Sequence, residues 1–287
     1  MYTFSNKLRL GSFIAMGLGF IFLVIGFMSA PSTVEEAKAM VAVHDDGHGG
    51  GHAEAATESH GDQGHGAEAS HGEEHDSSHD EHLLSQLKNR PWSALYVAAF
   101  FFFMISLGVL AFYAIQRAAQ AGWSPLLFRV MEGITAYLVP GGIIVFVILL
   151  LSAMHMNHLF VWMDSEVVAH DELLQGKAGY LNPTFFLIRA AIFLGGWIFY
   201  RQYSRKLSLA QDESDDNTNF VKNFRWSAGF LVFYLVTESM MSWDWIMSVD
   251  PHWFSTLFGW YVFASMFVSG ITVIAMVTVY LKSKGYL

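Results

Sequence analysis

The chain has 287 residues, of which 53% are hydrophobic and 14% charged, with a formal net charge of −9 and no cysteine. Soluble domains carry about 25% charged residues, and the charge deficit here is gathered into long apolar runs, which excludes an ordinary soluble domain. Without cysteine the chain can hold no thiolate-ligated iron–sulfur cluster or zinc site of its own, and it gains nothing from disulfides.

Six windows reach or approach the ~20 apolar residues that cross a bilayer: 11–30, 94–115, 134–153, 184–203, 226–246 and 259–281. The predicted fold is an all-α integral membrane protein with six transmembrane helices. The first follows Lys7 and Arg9 and is longer than the roughly 7–15 apolar residues of a cleavable signal. Met28 and Pro31 around Ala30 make a poor cleavage pattern, so residues 1–30 are expected to be an uncleaved anchor.

Residues 31–93 form a second region, with "HDDGHGGGHAEAATESHGDQGHGAEASHGEEHDSSHDEH" at its heart. It holds 9 of the 13 histidines and 13 of the 25 acids. From Asp45 to His82 there is almost no large apolar residue to bury, which predicts a disordered, solvated loop. Histidine-rich tracts also attract metals, and His71, His75 and His79 would align on a helix. "HGEEH" is not the H-E-x-x-H zinc motif, and a pH-responsive tether is the other reading.

Of the 16 Lys and Arg residues, 11 fall before span one, in loops two and four, or after span six. The positive-inside rule then puts both termini in the cytoplasm and loops one, three and five outside. In a bacterium this is a multi-pass protein of the inner membrane. Residues 94–246 are expected to hold a four-helix bundle of helices two to five, and 247–287 an outer turn and a sixth helix.

Span three contains Pro140-Gly141-Gly142, which predicts a kink or local break. At its outer end stand His155, His158 and Asp164. The four histidines beyond the loop (155, 158, 170 and 252) all belong at this one interface, which leaves no pairs on facing helices for a transmembrane di-haem site.

Two ionisable residues fall inside spans, where they are costly and usually face a bundle interior or a water path. Arg189 lies in span four and Glu238 in span five, both toward the outer end, and they are candidates for a buried ion pair. The alternative makes Glu238 a proton carrier. Tyr234 and Ser242 lie at i−4 and i+4 from it, and Asp244 further out. His155, His158, Asp164 and Asp250 complete the set of proton-transfer candidates.

After Glu238 comes "SWDWIMSVDPHWFSTLFGWYVF", with Asp250-Pro251 marking a tight turn. This acidic, tryptophan-rich turn behind an acid-bearing span resembles the ActF-type membrane subunit of bacterial alternative complex III, a relative of the NrfD and polysulfide-reductase membrane anchors. "MHMNHLFVWMD" and the spacing of the spans add to the likeness. The resemblance implies a non-redox membrane subunit of a quinol:cytochrome c oxidoreductase, offering a proton path or an incomplete quinone site. Its implied partners are a sister NrfD-like quinol-binding membrane subunit, periplasmic iron–sulfur and c-type haem subunits, and lipids, without nucleic acid. Haem c and iron–sulfur clusters would sit in those partners, no cofactor in this chain, and quinone or quinol is the small molecule to expect. Family members have about ten spans in two four-helix bundles, so the second bundle would be incomplete here. Two other readings stand beside this one. The chain is a purely structural anchor for partner subunits, or a metal-handling membrane protein that uses the histidine loop.

Overall fold

The computed structural model describes the backbone of residues 6–45 and 71–286 and the side chains of residues 6–41 and 83–286. Among the described residues the chain is all-helical and has no strand. It divides into two compact units, Met1–Leu95 and Tyr96–Leu287.

The first unit opens with α1 (Asn6–Met28), an apolar helix without a buried residue. Helix α2 (Val34–Asp45) begins with a capping arrangement. Thr33 Oγ1 accepts from the Glu36 amide at 3.3 Å, and the Glu36 carboxylate accepts from Ser32 N and Oγ at 2.8 and 2.9 Å. The Ser32 amide in particular holds the Glu36 carboxyl below the usual carboxylate range. Helix α3 (His71–Ala118) then runs on into the second unit, and its membrane-length apolar part is Leu83–Ala118. Within the range 31–93, therefore, Val34–Asp45 and the backbone from His71 onward are helical. The metal and pH-response expectations rest on side chains between residues 42 and 82, His71, His75 and His79 among them, and these lie outside the described ones.

The second unit contains α4 (Pro125–Ile134), α5 (Leu138–Ala153), the short α6 (Ser165–Ala169) and α7 (Glu172–Lys177), α8 (Pro183–Asp212), α9 (Thr218–Met241) and α10 (Phe258–Ser283). The starts follow local chemistry. Asp164, Asp171 and Asn182 each accept first-turn amides of α6, α7 and α8, and Pro183 opens α8 where its missing N–H costs nothing. The break expected at Pro140-Gly141-Gly142 is a 3₁₀ turn, Thr135–Tyr137, just ahead of it. Proline lacks an N–H and crowds the carbonyl four residues back, so the distortion falls in the preceding turn.

Five helical stretches are long and apolar enough to cross a membrane: α1, Leu83–Ala118, Pro125–Ala153, α8 and α10. Helix α9 matches them in length, at 24 residues, but interleaves Lys222, Asn223, Arg225, Ser227 and Glu238. It packs along α8, while α5 packs on α8, and α10 on α4 and α9. Helix α10 therefore belongs to the same unit as the helices before it. It also meets α3 closely, since a Cβ on Gly108 would lie 2.5 Å from the Met266 carbonyl oxygen and one on Gly270 3.0 Å from Val109 N. Lipid tails are as apolar as leucine, so helices in membranes gain from such close packing rather than from exclusion of water. Between the helices Phe103, Phe193, Trp197 and Trp245 interlock, with ring centroids 6.0–6.4 Å apart.

Candidate functional site

Helix α9 presents two faces. Asn223, Ser227, Tyr234, Glu238 and Ser242 recur at intervals of four, seven, four and four residues, close to whole helical turns, and all five are buried in the bundle. A polar seam therefore runs inside the unit along most of one helix.

At the end of this seam nearest the 247–257 turn, the helix does not stop at Met241. It continues through a π-helical turn, Ser242–Ile246, and a 3₁₀ turn, Met247–Val249. Widening to π geometry releases carbonyls from the α ladder, and side chains take them up. Tyr96 donates its hydroxyl to the Trp245 carbonyl at 2.7 Å, and Ser248 Oγ donates to the Asp244 carbonyl. The same turn places Asp244 beside α8. Arg189 Nε and Nη2 donate to Asp244 Oδ2 and Oδ1 at 2.6 and 3.0 Å, a two-point ion pair with both side chains almost wholly buried. Arg189 Nη1 donates to the Tyr180 carbonyl at 3.1 Å, and its guanidinium lies 3.9 Å from the Tyr180 ring centroid.

The expected Arg189–Glu238 pair is thus corrected to Arg189–Asp244. The helix runs on past the end of its apolar window, to Val249. Arg189 lies six residues from the start of α8, or about 9 Å at 1.5 Å per residue. Counted back from Val249, Asp244 is five residues deep and Glu238 eleven, roughly 8 and 16 Å. Asp244 is level with the arginine; Glu238 is more than a full turn too deep.

Glu238 is left in a different condition. Its side chain is 3% exposed, and its Oε1 has no hydrogen-bond partner. Thr237 beside it accepts from Trp197 Nε1 at 3.0 Å. Tyr234, one turn away, directs its hydroxyl at the Met266 sulfur, 3.6 Å distant. Ser242 donates back to the Ser239 carbonyl at 2.7 Å, so it is tied to its own helix. Tyr234 and Glu238 are therefore brought to one face as expected, but Ser242 is not hydrogen-bonded to the acid.

The opposite end of the seam opens into a second buried polar cluster. Tyr113 donates to Glu132 Oε1 at 3.2 Å, and its hydroxyl lies 3.2 Å from Arg117 Nε and 3.3 Å from Ser204 Oγ. Ser204 donates to Asn223 Oδ1 at 2.7 Å, and Asn223 returns a bond to the Ser204 carbonyl. Arg117 Nη2 reaches Ser208 Oγ at 3.1 Å, with the guanidinium 3.9 Å over the Phe128 ring. Glu132 Oε2 pairs with Arg129 Nη1 at 2.7 Å, and Arg129 also pairs with Asp212. Tyr200 Oη lies 2.7 Å from Ser227 Oγ, which donates to the Asn223 carbonyl. Hydrogen bonds therefore connect Arg117 and Glu132 to Ser227, and the connection stops at Phe230, whose ring stacks on Tyr200 at 3.9 Å.

Hydropathy alone does not reveal this cluster. Arg117 and Glu132 fall just outside the apolar windows and Arg201 at the very end of one, although all three are buried. A readable signal existed in the helical spacing of Tyr113/Arg117, Arg201/Ser204/Ser208 and Asn223/Ser227, which sets polar groups on one face of each of three helices.

The remaining candidates lie elsewhere. Asp250 is exposed in the turn, where its Oδ1 accepts from the His252 amide at 3.3 Å. His155 adopts φ 57° as the residue that closes α5, with Met156 N bonded to the Leu151 carbonyl at 3.0 Å. His158 is exposed and Asp164 caps α6, so none of these four joins the seam. The turn itself is tied to α7: His252 Nε2 is 2.6 Å from Asp171 Oδ2, and Lys177 donates to the Pro251 carbonyl at 2.6 Å. The Leu174 amide, and then His252, hold the Asp171 carboxyl below the usual range.

Among the described residues, no three histidine or acidic side chains converge as a metal-ligand set. No family model matches the chain, and comparison with curated proteins finds no significant match.

Proposed function

We propose that this chain is a non-redox integral membrane subunit of a respiratory quinol:cytochrome c oxidoreductase of the alternative complex III type, and that its α9 seam carries protons. The observation behind the proton path is Glu238: a carboxyl buried inside the bundle with an unpartnered oxygen, on the same helix face as a hydrogen-bonded polar cluster. A buried polar atom without a partner costs about 1–3 kcal/mol, and ionisable groups retained at such a cost in a membrane point to function. Glu238 is the exchangeable group in this reading. Arg189–Asp244 fixes α8 against the helix extension, and Glu132 with Tyr113 forms the far terminus. Phe230 interrupts the chain, so it must give way during transfer.

The respiratory assignment draws on the resemblance of residues 237–263 and on a chain without cysteine that leaves electron transfer to partners. In this reading α9 is span five and brings the total to six, both termini lie on the cytoplasmic side of a bacterial inner membrane, and quinone is handled with a sister subunit. A structural-anchor reading has its own support in the exposed rings of Trp253, Phe254, Trp260 and Tyr261 beside the turn, which offer an apolar edge to a partner helix.

The test starts with purification in mild detergent and a dithionite-reduced minus oxidised spectrum. C-type haem bands and stoichiometric iron–sulfur partners are expected, whereas a colourless chain without companions overturns the respiratory reading. Glu238→Gln is then introduced into the assembled complex in native membranes. The expected result is normal assembly with proton release per quinol oxidised sharply reduced. Unchanged proton release and turnover overturn the proton path and leave the anchor.

A further inference from the structure

The other face of α9 carries a different pattern: Lys222, Arg225, Gly229 and Phe233 recur at intervals of three, four and four residues. The face extends over about 16 Å at 1.5 Å per residue. It lies well over a quarter-turn away from the seam of Asn223, Ser227, Tyr234 and Glu238. At its start is a polar pocket of about 380 Å³ lined by Asn217, Thr218, Val221, Lys222 and Arg225. Arg225 also lines the next recess, an open apolar groove of about 440 Å³ between α8 and α9. Gly196 and Gly229 make room for this groove, and Phe199, Trp226, Phe230 and Phe233 form its walls.

We propose that this face binds one anionic phospholipid, with its phosphate at Lys222 and Arg225 and one acyl chain in the groove along Gly229. Charge decides the occupant. Arg225 is exposed and makes no hydrogen bond or ion pair among the described residues. Lys222 is exposed as well, near Asp216, whose carboxylate is already engaged by Thr218 Oγ1 and Ser214 Oγ at 2.7 and 2.8 Å. The two cations stand in the first turns of a membrane-length helix, the level of lipid headgroups, and an aromatic-walled groove leads from them along the helix. A basic pocket between helices that opens onto an apolar groove matches an amphiphile with an anionic head.

Gly229 allows a clean test, because a Cβ there would meet nothing within 4 Å. Gly229→Leu therefore fills the groove without disturbing the helix contacts. Native mass spectrometry of the full chain in mild detergent would compare phosphatidylglycerol with phosphatidylcholine of identical acyl chains. At roughly a factor of five for each basic residue, about thirtyfold preference for phosphatidylglycerol is expected. Arg225→Gln should weaken its retention about fivefold, and Gly229→Leu should abolish preferential retention. Arg205→Gln, an exposed arginine outside the groove, should change nothing. Equal binding of the two lipids, or full retention by Gly229→Leu, overturns the proposal. So does competition by millimolar inorganic phosphate that is sensitive to Arg225→Gln but indifferent to Gly229→Leu, because it marks a free-anion pocket without an acyl chain.

Discussion

Asp244 and Glu238 are two buried carboxylates on one continuous helical run, and the protein treats them in opposite ways. Asp244 receives two donors from a single guanidinium whose third nitrogen is satisfied by a carbonyl. Glu238 is as deeply buried and keeps an oxygen without a partner. The first arrangement holds two helices in register. The second leaves an acceptor oxygen unused, which is why it is the better candidate for exchange of a proton. Burial alone does not distinguish structural from functional acids; the accounting of partners does.

Removing either member of the Arg189–Asp244 pair should have the largest effect. Arg189→Leu or Asp244→Leu alone strands a buried charge, at a cost of about 3–5 kcal/mol. Loss of monodisperse protein on heating in mild detergent would measure it. The double variant Arg189→Leu/Asp244→Leu should recover most of the loss, whereas Arg189→Leu/Glu238→Leu should not. Recovery in the second double variant would return Arg189 to Glu238 and collapse the contrast.

Glu238→Met sharpens the comparison from the other side. It removes a carboxyl with an unpartnered buried oxygen at nearly constant volume, so stability should stay within about 1 kcal/mol of the parent or rise. A loss as large as that of Asp244→Leu would show that Glu238 is structural.

The smallest effect concerns the turn beyond these acids. Asp171 has a folded pKa below the ordinary value of about 3.9. Its contribution is therefore complete above that value and is lost as pH falls through the lower folded one. Hydrogen exchange of residues 250–257, corrected for intrinsic rates, should rise as pH falls below about 4. In Asp171→Asn, which keeps the cap on α7, exchange should already be raised at neutral pH and lose this pH dependence. An unchanged profile would mean that Lys177 on the Pro251 carbonyl holds the turn alone.

The sequence by itself determined the all-helical class, the placement of five membrane-length apolar helices, and the alignment of Tyr234 with Glu238. These follow from composition and from a helical period that needs no knowledge of neighbours. It also determined the starts of α6, α7 and α8, because an aspartate or asparagine cap acts on amides only two or three residues away. Only the tertiary structure decided which acid Arg189 holds. That choice depends on where a helix ends in space, and the π turn at Ser242–Ile246 carried α9 past the point where its apolar pattern runs out. The same applies to Arg117, Glu132 and Arg201. Each stands at or just beyond the edge of an apolar window, and each is buried because polar groups from other helices meet it there. A charged side chain enters a membrane protein's interior only with partners, and partners distant in the chain are supplied by packing alone.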